Sequence, residues 1–253
     1  IFLEVITSEK ISVGPPFFHK LIIPFLIPFL IFMALGPQLK WIKSDLQNKL
    51  YLMLFLFVSL ILTISIIRKL NIDLFTITIL LTAAFFLFFI TVRDFLKKKV
   101  KNLSQNITHF GFSLLILSIL LNNIFSSEVI TNLKIGETFV SDKFKIYFES
   151  IKQNEEQNYK AVTGKFNIID LNGDKEILNP ELRIYNQPNI VTSEADIKTN
   201  LLTDKFITMN LVQNQDYFNI RYQVKPFMLW IWISVIMICF GGLISLFKKR
   251  YEN

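Results

Sequence analysis

Two histidines and one cysteine are the side chains in this sequence most suited to hold a transition metal: His19, His109 and Cys239. They are far apart in sequence, and no CxxC or CxxCH pattern accompanies the single thiol. Cys239 sits inside an apolar run, where a lone thiol packs as a small hydrophobe, and it is assigned no chemistry. His19 follows GPPFF at the edge of an apolar segment beside Lys20, a place that suits an amphipathic side chain at headgroup level. His109 stands differently, within NITHFGFSLLILSILL, inside a stretch otherwise fit to cross a membrane. A titratable group at that depth is expensive and marks a functional position. Neutral imidazole is also a common axial ligand of haem iron. Gly111, two positions on, removes a side chain where a flat macrocycle could approach. The competing reading is an imidazole bonded to a neighbouring helix carbonyl, and residue chemistry alone leaves both open. A six-coordinate haem b would need a second strong ligand from elsewhere.

The elements that must position His109 are apolar helices. Hydrophobic residues make up 52% of the 253, Phe alone occurs 26 times, and mean hydropathy is +0.44. Such a composition belongs to polytopic membrane proteins. A span takes about 20 apolar residues, and five stretches qualify, near 17–36, 50–67, 74–92, 107–125 and 226–247. The first carries Pro24 and Pro28, tolerated in a membrane helix as a kink. The short RKLNID connector predicts that the second and third spans form an antiparallel pair. The net charge of +7 raises nucleic acid as a partner, but 126–225 holds 12 Lys/Arg against 14 Asp/Glu. The basic excess therefore lies beside the spans, and nucleic-acid binding is not expected.

Its placement sets an orientation instead. Connectors 37–49, 93–102 and 248–250 carry three, five and three basic residues, whereas the opposite flanks hold only Lys10, Lys20, Arg68 and Lys69. The positive-inside rule puts the richer connectors and the C-terminus in the cytoplasm and 126–225 on the other side. Arg93, Lys97, Lys98, Lys99 and Lys101 read as a topology signal ahead of a lipid-headgroup or partner site. Trp230 and Trp232 stand where the last span leaves the outer face, as an aromatic belt does.

The interruption at 126–225 reads as β structure. FKIYFES (144–150), KFNIID (165–170) and YFNIRYQV (217–224) alternate with period two. Asn172-Gly173 predicts a hairpin, and TSEADIKT a possible short helical turn. Asp170, Asp174 and Glu176 gather near the Asn-Gly turn but lack calcium-loop spacing, so solvated turn carboxylates are expected. The predicted organisation is a membrane region at 1–125 with four spans, a periplasmic β-rich domain at 126–225, and a last span with a short basic tail at 226–253. The chain opens on Ile1 with no signal-peptide pattern, so a longer protein truncated at its N-terminus is expected.

Several segments in order resemble the CcmF/NrfE-type cytochrome c haem lyases. ISVGPPFF (11–18) is similar to the segment that precedes a span in that family. THFGFSLLILSI (108–119) resembles its HLG-type helix, PELRIY (180–185) and TSEADI (192–197) its PExRxY and TEAAI elements, and RYQVKPFMLWIWISVIMICFGGLISLFKKR (221–250) its terminal helix. The resemblance implies a role in system I cytochrome c maturation in the bacterial inner membrane. Haem would arrive from the chaperone CcmE and be joined to apocytochrome c with CcmH/CcmI-type subunits. It implies that His109 is the second of two membrane histidines holding a haem b. The family's WWD segment, its external histidines and its first membrane histidine would precede Ile1, and no WWD stretch occurs here. His19 departs from the pattern, because the family usually has Asn there. Glu181, Arg183 and Tyr185 would lie at a partner-facing or structural position of the external domain. The segment alone is expected to be inactive. A different class, a polytopic transporter or assembly scaffold without haem, is distinguished by Soret absorbance, and NrfE-type specificity stays open within the family.

Overall fold

The computed structural model describes residues 15–38, 50–70, 75–96, 103–170, 173–212 and 216–251. Five α-helices and ten strands lie among them, with a single 3-10 turn at Gly36–Gln38. The helices are α1 (Pro15–Leu35), α2 (Leu50–Leu70), α3 (Phe75–Leu96), α4 (Leu103–Phe125) and α5 (Met228–Tyr251). Four carry stretches long and apolar enough to cross a membrane: Leu50–Arg68, Phe75–Leu96, Leu103–Phe125 and Met228–Phe247. α1 is 21 residues long, contains Pro24 and Pro28, and has a shorter apolar stretch at Leu21–Leu35. Two compact units result, one within 1–120 and 233–253 and the other spanning 121–232.

In the helical unit, α2 and α3 form the antiparallel pair that their short connector predicts. Phe55 near the start of α2 meets Phe89 near the end of α3 at 6.0 Å between ring centroids, and the Arg93 guanidinium lies 3.5 Å over the Tyr51 ring. The most buried helix is α3, whose Leu80, Leu81, Leu87 and Ile90 are almost wholly covered. Several polar side chains of the helices bond to a carbonyl one turn back, as Ser59 does to Phe55 and Thr82 to Thr78. Thr91 and Ser113 share a buried hydrogen bond of 2.7 Å between α3 and α4, the kind of contact that holds membrane helices together when water supplies no hydrophobic drive.

The second unit holds ten strands, β1 (Ser127–Leu133), β2 (Thr138–Val140), β3 (Phe144–Glu155), β4 (Tyr159–Asp170), β5 (Lys175–Leu178), β6 (Glu181–Asn186), β7 (Asn189–Glu194), β8 (Asp196–Thr199), β9 (Thr203–Leu211) and β10 (Phe218–Pro226). One sheet runs β1-β10-β9-β8, the other β2-β3-β4-β6-β7 with β5 beside β4, and every pairing is antiparallel. The alternation read in the sequence is the alternation of burial: Phe144, Ile146 and Phe148 of β3 point inward while Lys145 and Tyr147 do not. Phe148 stacks on Phe166 of the neighbouring strand at 4.3 Å, and Phe144 meets Tyr222 of the other sheet edge-on at 4.8 Å. Gly164 of β4 leaves room for this core, since a Cβ there would fall 2.7 Å from the Phe166 ring and 2.8 Å from the Met209 sulfur.

β4 and β5 pair across the predicted Asn-Gly hairpin, with Ile169 opposite Lys175. Gly173 has the left-handed φ of 82° that a tight turn asks of glycine, and Asn172 lies outside the described residues. The TSEADIKT segment is a correction. It forms no helical turn; its residues extend into β7 and β8, because Glu181 to Tyr185 of β6 offers β7 a ladder from Glu194 to Ile190. Entry to and exit from the sandwich are adjacent. Ser127 pairs with Val224 and Leu133 with Phe218, and Asn122 Nδ2 donates to the Pro226 carbonyl at 2.5 Å.

Candidate functional site

His109 lies in the second turn of α4, half-buried, and makes no hydrogen bond among the described residues. Its neighbours fix the rotation of the helix. Phe110 stacks against Phe95 at 5.2 Å and approaches Phe88 at 5.9 Å, while Phe112 meets Phe29 of α1 edge-on at 5.8 Å. Asn106 donates to the Asp94 carbonyl at 3.3 Å, and Ser113 is wholly buried against Thr91. These contacts place His109 between Phe110 and Phe112 on the circumference of α4, about 100° from the first and about 60° from the second. The side chain of His19 lies outside the described residues, although its backbone belongs to α1.

Gly111 does not serve the role expected for it beside His109. Two residues advance an α-helix by about 200°, so Gly111 faces away from the imidazole, toward α5. A Cβ on Gly111 would stand 3.1 Å from Ile238 Cγ1, Met237 Cβ and the Ser234 carbonyl. The reciprocal small residue is Gly241, where a Cβ would collide with Thr108 Oγ1 and lie 3.1 Å from the Ser104 carbonyl. Ser104 Oγ donates to the Gly241 carbonyl at 2.8 Å. Ser104, Thr108 and Gly111 of α4 thus meet Ser234 and Gly241 of α5 along one seam, a small-residue contact that brings membrane-helix backbones close.

On the β unit, Glu181, Arg183 and Tyr185 occupy one face of β6, as alternate residues of a strand must. Arg183 is bound to Glu181 at 3.1 Å and lies 5.0 Å over the Tyr159 ring, which stands 5.4 Å from Tyr185. Thr192 and Glu194 of β7 pair with Arg183 and Glu181 in register and bond to each other at 3.2 Å. The two motif segments noticed in sequence are therefore one continuous polar and aromatic sheet face. Arg183 and Glu181 are each about one-third exposed, 34% and 32%, so solvent screens the pair and it contributes little stability.

A charged cluster escaped the sequence reading. Lys205 shares the inward register of β9 with Ile207 and Met209. Its ammonium bonds Asp170 Oδ2 at 2.7 Å and forms an ion pair with Glu176 Oε2 at 2.9 Å. Burial works against its charge, but these two carboxylates outweigh it and push the lysine up to about 12. Asp170 and Glu176 are thus counter-ions to a nearly buried lysine rather than merely solvated turn carboxylates. The signal available was a lysine in phase with two core residues. Among the described residues no three His, Cys, Asp or Glu side chains gather to hold a metal.

Residues 124–226 match the family described as the CcmF C-terminal beta-sandwich, a range that contains all ten strands. The chain is 24% identical over 267 residues to the cytochrome c-type biogenesis protein CcmF of Pseudomonas fluorescens, covering 100% of this chain and 40% of that protein. Identity to CcmF of Haemophilus influenzae is 26% over 267 residues, 96% of this chain and 40% of the relative. The chain is similar to CcmF-type cytochrome c biogenesis proteins over nearly its whole length. NrfE of Haemophilus influenzae is also similar, 23% identical over 261 residues, 100% of this chain and 41% of that protein. A solved structure of cytochrome c heme lyase CcmF shares the fold, with a TM-score of 0.69 at 18% identity over 91% of this chain and 40% of that one. Together with the apolar helices, the CcmF-type relationship makes this a multi-pass membrane protein, and the chain spans about two-fifths of the length of the relatives it matches.

Proposed function

We propose that this chain supplies the C-terminal part of a cytochrome c haem lyase and that His109 is one axial ligand of a haem b within its membrane region. The observation that carries the reading is a half-buried imidazole inside an apolar span, with no hydrogen bond to the described chain. A titratable group kept at that depth suits a ligand that binds from outside the helix. The residues present fit one side of such a site, since His109 offers one ring nitrogen and the aromatic side chains of Phe110 and Phe112 follow it closely in sequence. The second ligand would come from outside the described residues. When bound, the haem would supply one-electron transfer. The chain's own contribution is to orient the imidazole: the Phe110, Ser113 and Gly111 contacts lock the rotation of α4, and the apolar surroundings exclude water.

The same reading places the protein in the bacterial inner membrane, with the sandwich in the periplasm and the basic ends in the cytoplasm. The haem delivered by CcmE is substrate there, and apocytochrome c its acceptor. The Glu181–Arg183–Tyr185 face is the candidate meeting surface for CcmH/CcmI-type subunits, because it presents charge and aromatic rings together on a rigid sheet. Test: express the protein in its native genetic context and compare absorption spectra of wild type and His109→Ala after mild detergent extraction. The Soret band is expected to fall sharply in the variant, with cytochrome c maturation impaired. An unchanged b-type spectrum would remove His109 from the site, and a colourless wild type would favour a scaffold without haem.

A further inference from the structure

The turn between β8 and β9 is built from the wrong residues for water. Asn200 N–H donates to the Thr203 carbonyl at 2.9 Å, leaving Leu201 and Leu202 as a two-residue hairpin tip. Tips of that length favour Asn, Asp and Gly, yet here two leucines project from it, 64% and 59% exposed. Breaking a local rule without a gain in packing points to a function at the site.

What lies beside the tip decides which function. The Leu202 carbonyl accepts from Phe227 N–H at 2.8 Å, and the Leu201 carbonyl accepts from Trp230 Nε1 at 3.0 Å. Phe227 takes a positive φ of 62° to turn the chain from β10 into α5, and Met228 opens the apolar span Met228–Phe247. Both leucine carbonyls are therefore pinned to the first turn of a membrane-crossing helix. Trp232, on the same turn, is 62% exposed. Indole rings at the end of a span sit among lipid headgroups.

We propose that Leu201 and Leu202 form a lipid-inserting tip, held by Trp230 at the interface of the outer leaflet, so that the sandwich touches the bilayer through this turn as well as through its two tethers. The occupant is lipid rather than a protein partner because the tip's level is fixed by hydrogen bonds to a helix end that itself lies in the interface. Apolar side chains reaching a few ångströms below the headgroups gain burial there without any other partner. The inference requires only that α5 crosses a membrane, and it stands or falls independently of the haem ligand.

The test uses the protein from its native genetic context with all native cysteines replaced, including Cys239→Ala. An environment-sensitive fluorophore is attached at Leu202→Cys, at Leu201→Cys, and at Asn158→Cys on the exposed β3–β4 turn. Each protein is reconstituted in phosphatidylcholine vesicles with or without lipid carrying a nitroxide high on its acyl chain. Nitroxide lipid is expected to reduce emission at least about two-fold from either leucine position, consistent with shallow insertion, and to leave the Asn158 label unchanged. Quenching of both leucine labels by aqueous iodide and not by nitroxide lipid would overturn the proposal. Protection from both quenchers would overturn it as well, because protein would then cover the tip.

Discussion

At residue scale, the sandwich carries two groups whose protonation couples to folding. Lys205, raised from 10.5 to about 12, is charged and paired when folded. Tyr222, whose ring bridges the sheets, is pushed up from 10.0 to about 12 by burial, and its hydroxyl has no hydrogen-bond partner among the described residues. Both folded values lie above the unfolded ones, so each contributes stability that is complete below the unfolded value and is lost as pH rises through about 12. The β signal in circular dichroism should therefore weaken from about pH 10 upward in the purified protein. Tyr222→Phe should move that loss to higher pH, and a midpoint identical to wild type would refute the tyrosine's share. Residue-level legibility was uneven for a physical reason. His109 stood out because a polar side chain interrupts an apolar run. Lys205 did not, because its counter-ions come from β4 and β5, which only the fold brings to β9.

Among elements, the helices were plain in the sequence because length and apolarity suffice to mark a span. The hairpins around FKIYFES and KFNIID were plain because alternation is strong there. TSEADIKT was misread since its burial alternates weakly, and edge pairing with β6 and β9 overrides local preference. Gly111 was legible as a space-maker but not as to what uses the space. Two adjacent glycines in α5 now separate packing from propensity. A Cβ at Gly241 collides with Thr108, whereas at Gly242 nothing lies within 4 Å. Gly241→Ala should destabilise the helical unit by about 1–3 kcal/mol through overpacking. Gly242→Ala should be neutral or should stabilise it by up to about 1 kcal/mol. Thermal unfolding of the two variants in one detergent reads the contrast; equal melting temperatures would mean that the α4–α5 seam is looser than described.

For the whole molecule, the entrance and exit of the sandwich are zipped together along seven register pairs, from Ser127–Val224 to Leu133–Phe218, beneath the Asn122–Pro226 bond. A globular insert whose two ends meet so closely behaves as a cassette. Excising 127–224 leaves a gap that a few Gly and Ser residues can bridge, because antiparallel partners stand only about 5 Å apart at the Cα atoms. The shortened protein should still insert and keep α4 and α5 protease-resistant, while loss of both helices on excision would show that the strands are needed to fold them. Evolution has the same freedom. The β module can be exchanged or retuned while the α4–α5 seam, and the imidazole it orients, stay as they are.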